Sequence, residues 1–131
     1  MPLSPKLTAP EIDANFADIA PLYSAQQALV EAGRCLYCFD APCISACPTG
    51  IDIPAFIKKI ASGNLTGAAR TILTANILGA SCARVCPTEV LCEGACVMLD
   101  RDSDPIKIGR LQRYATDHVN EKHLSVLKPA T

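Results

Sequence analysis

The sequence predicts an all-α fold, on three observations. Apolar residues recur at helical spacing in several segments, and no stretch offers a convincing pair of alternating strands. Half of the residues are apolar but only six are aromatic, while nineteen are Ala, so the core must be built from small side chains on closely packed helices. Eight cysteines are bunched into two short runs that a small helical domain can enclose.

A chain of 131 residues is enough for one domain. Lys and Arg number 12 against 13 Asp and Glu, without a basic run, which argues against a nucleic acid or an anionic membrane as partner. No segment approaches the roughly 18 apolar residues of a membrane span, and the N-terminus lacks an apolar stretch flanked by basic residues. A cytoplasmic chain is therefore expected, with its cysteines kept as thiols rather than paired in disulfides.

The elements follow in chain order. Residues 1–22 hold four prolines and no sustained period, and read as an extended lead-in that lies on another surface or stays mobile. The helical domain spans 23–121. Ser24 is a helix cap, Ala25, Ala28, Leu29 and Ala32 share one side of that helix, and Gly33 is a residue type that ends one. Asp52 or Ile53 opens the next helix, with Pro54 in its first turn and a stripe of Phe56, Ile57, Ile60 and Ala61 before Gly63. A further helix begins at Asn64, carries Leu65, Ala68, Ala69, Ile72 and Leu73, and fades in "ANILGAS". The last helix runs through "IKIGRLQRYATDHVN", and residues 122–131 read as a linker.

The chemistry lies in the cysteine runs. The first, "CLYCFDAPCISACP", places Cys35, Cys38, Cys43 and Cys47 at gaps of two, four and three, with a proline directly after the last. Several thiolates converging from a tightly turning loop suit a small inorganic core, and this spacing matches an iron–sulfur run whose fourth cysteine reaches a neighbouring cluster. The second run, "CARVCPTEVLCEGAC", repeats a Cys-Pro-Thr at Cys86 and adds Cys92 and Cys96, whose separation of four lets them share a helix face. Two four-cysteine zinc sites are the structural alternative, but zinc ribbons usually show well-separated CxxC pairs and do not need the proline.

One polar residue falls on an apolar face. Ile108, Ala115 and Val119 line one side of the last helix, with Leu111 at its edge and Gln112 in its middle. A buried amide left without partners costs on the order of 1–3 kcal/mol. Spacing leaves two uses open: a hydrogen bond to backbone, the commoner case, or ligation through the side-chain oxygen. Arg34 and Arg84 flank cysteines and are read as ordinary surface arginines, with cluster support or docking as the alternative; His118 and His123 read as solvated.

Together, "RCLYCFDAPCISACPTGIDIPAFI", "NILGASCARVCPTEVLCEGAC" and "PIKIGRLQRYATD" resemble the N-terminal iron–sulfur domain of dihydropyrimidine dehydrogenases, and more distantly the small subunit of glutamate synthase. The resemblance covers residues 24–119. It implies an α-helical ferredoxin-like fold with two [4Fe-4S] clusters, one held by Cys35, Cys38, Cys43 and Cys96, the other by Cys47, Cys86, Cys92 and Gln112. It leaves Cys82 as a small buried thiol outside the ligand set.

It further implies an electron-transfer domain that passes electrons between a flavin/NAD(P)H module and an FMN-containing partner that reduces pyrimidines, with a homo-oligomer as the family's habit. The seven glycines form no G-x-G pair, so FAD and NAD(P) are expected only in downstream or partner domains. Rival readings are the equivalent domain of a glutamate synthase or related ferredoxin-linked oxidoreductase, a free-standing ferredoxin, and a zinc-stapled interaction module.

Overall fold

The computed structural model describes residues 6–129, and every regular element among them is helical: α1 (Ala9–Asn15), α2 (Ala25–Gly33), α3 (Pro42–Ser45), α4 (Ile53–Ala61), α5 (Leu65–Ala75), α6 (Gly79–Val85) and α7 (Ile108–Glu121). Two 3-10 turns, Thr88–Val90 and Val97–Arg101, fill part of the path between α6 and α7. None of the helices described is long and apolar enough to cross a membrane.

The core forms on α4, which packs against α2, α5 and α7. Asp52 caps it by accepting a hydrogen bond from the Ala55 N–H at 3.1 Å, and Pro54 occupies the first turn, where its missing N–H has no helical partner to lose. One face buries Ile53, Phe56, Ile57 and Ile60, while Ala61, expected on that stripe, is exposed. Gly63 stops the helix at φ +77°, left-handed backbone that favours glycine, and Asn64 caps α5 by accepting from the Gly67 N–H. The hairpin α4–α5 thus follows from four local signals.

The expected cap of α2 forms as a capping box, with Ser24 Oγ accepting from the Gln27 N–H and Gln27 Oε1 accepting from the Ser24 N–H. The helix buries Ala28 and Ala32 against the core, whereas Leu29 is 45% exposed. Small residues at the contact let the axes approach closely, so the wider apolar side of α2 is not all covered. On α7 the inward face carries Ile108, Leu111, Ala115 and Val119, with Gln112 among them.

Three segments differ from the expectations. The lead-in is not extended throughout: α1 lies within it, and Thr8 and Glu11 close its start, with the Thr8 N–H donating to Glu11 Oε2 at 2.8 Å. That Thr-x-x-Glu pattern is a helix-start signal which the prolines and the lack of an apolar period obscured. Residues 1–5 lie outside the described residues. The stretch after α5 does not simply fade, because Asn76 ends α5 and a new helix, α6, carries Cys82. The tail beyond α7 is non-helical over its described part but not free: Val126 is buried beside Ala69 and Val119, and Arg70 Nε donates to the Val126 carbonyl at 3.1 Å.

The rest of the lead-in is strapped across α7. Arg113 pairs with Asp18 at 2.8 Å and donates to the Ala20 carbonyl, and Arg110 donates to the Pro21 carbonyl while its guanidinium lies 3.9 Å from the centre of the Tyr23 ring. No residue of α1 itself is buried, so the ordering comes from these side chains of α7.

Candidate metal centre

Two cavities divide the cysteines between them. The first is lined by Cys35, Cys38, Cys43 and Cys96, with walls from Pro54, Ile57, Met98, Ile106 and Ile108. The second is lined by Cys47, Cys82, Cys86, Cys92 and Gln112, with Ile51, Leu91 and Asn76 beside them. Ile53, a buried side chain, lines both.

The backbone explains the division. Cys35 leaves the end of α2, and the loop then turns through Tyr37 at φ +51°, whose hydroxyl donates to the Ala32 carbonyl at 3.2 Å. Cys43 sits on the single turn of α3 and Cys47 just beyond it, so one short helix sends neighbouring thiols to opposite cavities. Cys92 and Cys96 do likewise. The expectation that they share a helix face is corrected: residues 91–95 form consecutive turns, which aim Cys92 at the second cavity and Cys96 at the first. The turn is tight at Gly94, where any Cβ would overlap the carbonyl oxygen of Glu89.

Two buried groups tie α7 to its neighbours, one to this loop and one to α6. Glu93, only 8% exposed, accepts a hydrogen bond through Oε1 from the Gly109 N–H at 2.9 Å, supplying one of the partners that the first turn of α7 lacks. Gln112, 7% exposed, donates from Nε2 to the Gly79 carbonyl at 2.7 Å. No hydrogen bond among the described residues uses its Oε1, and the side chain lines the second cavity. The two uses that spacing left open are therefore compatible: the nitrogen is spent on backbone and the oxygen remains.

Sequence reasoning missed Glu93 and Asn76. Glu93 sits between a cysteine and a glycine and has no periodicity to betray burial; Asn76 looked like part of a fading helix. In the structure Asn76 Oδ1 accepts from the Leu78 N–H at 3.0 Å, which turns its amide nitrogen towards Cys82 Sγ at 3.2 Å. Arg34 and Arg84 line neither cavity. Arg34 is bound to Glu31 and to the Asp104 carbonyl, and Arg84 makes a two-pronged pair with Asp117 at 2.7 and 2.8 Å. Both are fixed by partners within the chain rather than merely solvated. His118 is half-buried, and burial holds its pKa below the usual value.

Burial disfavours ionisation of four of the cavity thiols in the metal-free chain. Burial pushes the Cys43 thiol up to about 11 and the Cys92 thiol up to about 12, the latter aided by the Glu93 carboxylate. Burial also raises Cys35 and Cys86, the last with help from the neighbouring Cys82. At Cys47 burial is outweighed by the Ile51 backbone N–H, the Thr49 hydroxyl and further N–H groups, which hold that thiol below its ordinary value. Thiols raised by burial become thiolates only beside positive charge, such as iron supplies.

The donor set fits an iron–sulfur cube better than a single ion. Among the described residues no three His, Cys, Asp or Glu side chains converge tightly enough to share one metal ion. Tetrahedral zinc needs its sulfurs about 2.3 Å from one point. Here each cavity is lined by four thiols that do not converge in that way.

The comparisons with known proteins agree. Residues 12–124 match the family described as dihydropyrimidine dehydrogenase domain II, 4Fe-4S cluster. The chain is 47% identical, over 118 residues and 89% of its length, to the NAD-dependent dihydropyrimidine dehydrogenase subunit PreT of Escherichia coli (strain K12). It is 45% identical over the same length to the PreT subunit of Salmonella typhimurium. It spans 28% of the length of either relative. An all-helical fold, two thiol-lined cavities and this match have one consequence: the chain belongs to the [4Fe-4S] domain II family of dihydropyrimidine dehydrogenases.

Proposed function

We propose that the chain is an electron-transfer domain holding two [4Fe-4S] clusters, with Cys35, Cys38, Cys43 and Cys96 as ligands of one and Cys47, Cys86, Cys92 and Gln112 as ligands of the other. The observation that carries this reading is the interleaving: each cysteine run contributes to both cavities, and Ile53 lines the two of them. When bound, the clusters supply reversible one-electron transfer.

The chain's own residues give that chemistry its setting. Apolar walls from Ile51, Ile57, Leu91 and Ile106 keep water off the thiolates, which holds local fields strong. An amide oxygen at the fourth corner of the second site makes that site less negative by one charge than four thiolates would, which favours its reduced form. Neither half of the sequence completes a site alone, so loading and folding are coupled.

In this reading the domain works beside a flavin and NAD(P)H module and delivers electrons to an FMN-containing partner that reduces pyrimidines, in the cytoplasm. Support comes from the names of the relatives, which describe NAD-dependent dihydropyrimidine dehydrogenase subunits, and from the absence of a G-x-G pair among the seven glycines. The test is a pair of variants prepared and reconstituted without oxygen. Cys96→Ser is expected to lose one cluster and Cys47→Ser the other, with different reduced paramagnetic spectra surviving. Identical surviving spectra, or iron bound without labile sulfide, would sink the assignment.

A further inference from the structure

The second cavity has one donor too many. A cube has four corners, yet Cys47, Cys82, Cys86, Cys92 and Gln112 all line the space. Cys82 is neither incidental nor remote. It lies on α6, four residues before Cys86, which caps the end of that helix, and Asn76 holds its sulfur through an N–H donor at 3.2 Å. Asn76 is itself oriented by the Leu78 N–H, so the donor end of its amide, and not the acceptor end, meets the sulfur.

Gln112 is fixed from the same helix. Its nitrogen donates to the carbonyl of Gly79, the first residue of α6, and its oxygen has no hydrogen-bond partner among the described residues. Both side chains are thus positioned from the N-terminal side of one short helix, on one cavity. A neutral amide oxygen binds iron more weakly than a thiolate does, so the corner held by Gln112 is the one most easily vacated.

Resting on the two-cluster reading, we propose that Cys82 is a reserve ligand of the second site, a fifth donor that takes the corner of Gln112 when the amide is lost. The exchange forms one iron–sulfur bond and breaks one iron–oxygen bond; the thiol proton passes to water and no electron moves. The replacement restores four thiolates, adds one negative charge and lowers the reduction potential of that site.

The test uses the chain reconstituted without oxygen, with the first site as an internal control of folding. Gln112→Ala is expected to keep the iron and labile sulfide of the native protein while its reduced paramagnetic spectrum changes and its potential falls. Gln112→Ala/Cys82→Ala is expected to lose about half of its iron. Alkylation under anoxia gives an independent readout: Cys82 reacts in the loaded native chain and is protected in loaded Gln112→Ala. Loss of half the iron from Gln112→Ala itself, or continued alkylation of Cys82 in that variant, overturns the reserve role and leaves the two-cluster reading standing. A native chain without labile sulfide, or a Gln112→Ala spectrum identical to the native one, overturns the ligand assignment on which the role rests.

Discussion

The two cavities differ in how they are built. The first is a local site: three of its four thiols come from one stretch running from the end of α2 into α3, and only Cys96 arrives from elsewhere. The second is a tertiary site, since Cys47, Cys86, Cys92 and Gln112 come from four different segments and the last is positioned by a carbonyl on α6. A local site depends on spacing along the chain, a tertiary site on packing. The second cavity should therefore be the more sensitive to substitutions in the helices, and four outcomes sharpen that contrast.

The largest effect is expected where the contrast vanishes. Ile53 is 2% exposed and lines both cavities, so Ile53→Asp places a charge in the wall they share. A cost of more than about 4 kcal/mol is expected, with loss of helical circular dichroism and of both sites together. Retention of either site would show that the wall is not common to the two.

Gly94→Ala comes next. The added methyl would overlap the Glu89 carbonyl, and displacement of the turn moves Cys92 and Cys96 at once. A destabilisation of about 1–3 kcal/mol in urea titration is expected, with iron lost from both sites, whereas Cys96→Ser empties only the first. If Gly94→Ala spared one site, the turn would not couple them.

A third outcome concerns pH in the metal-free chain. Cys43 and Cys92 have folded pKa values raised to about 11 and about 12, against an ordinary value of 9.0. Above 9 the unfolded chain releases these protons first, so it binds fewer than the folded chain and stability falls as pH rises. The contribution is whole below 9 and is lost progressively towards 11 and 12. Thermal melts of the apo chain that stay flat from pH 8 to pH 11 would contradict the burial of these thiols.

The smallest effect belongs to the strap. Arg113 pairs with the exposed Asp18, and Asp18→Asn is expected to leave the iron of both sites unchanged while residues before Pro21 become more open to limited proteolysis. The Arg113 partner holds the Asp18 carboxyl below its usual range, so the strap is fully latched above that range and comes loose only as pH falls below it, through the lowered value.

What the sequence revealed follows the same division. Ser24, Asp52, Asn64 and Gly63 announced the boundaries of α2, α4 and α5, because caps and a left-handed glycine are local devices. The spacing around Cys35, Cys38 and Cys43 pointed to a shared inorganic core for the same reason. Gln112 stood out because it broke an apolar stripe, although spacing could not choose between its two uses. The turn at Gly94 was not legible, since its tightness depends on the Glu89 carbonyl folding back upon it. Nor were Glu93 and Asn76, whose roles depend on how the fold brings Gly109 and Cys82 to them. The start of α1 was legible in Thr8 and Glu11 and was hidden by the prolines around it.

The most direct test of the account is the iron, zinc and acid-labile sulfide content of the native chain, folded and reconstituted without oxygen. The two interleaved sites predict about eight iron and about eight sulfide per chain, with negligible zinc. About two zinc per chain and no sulfide would contradict the account and leave a metal-stapled structural module in its place.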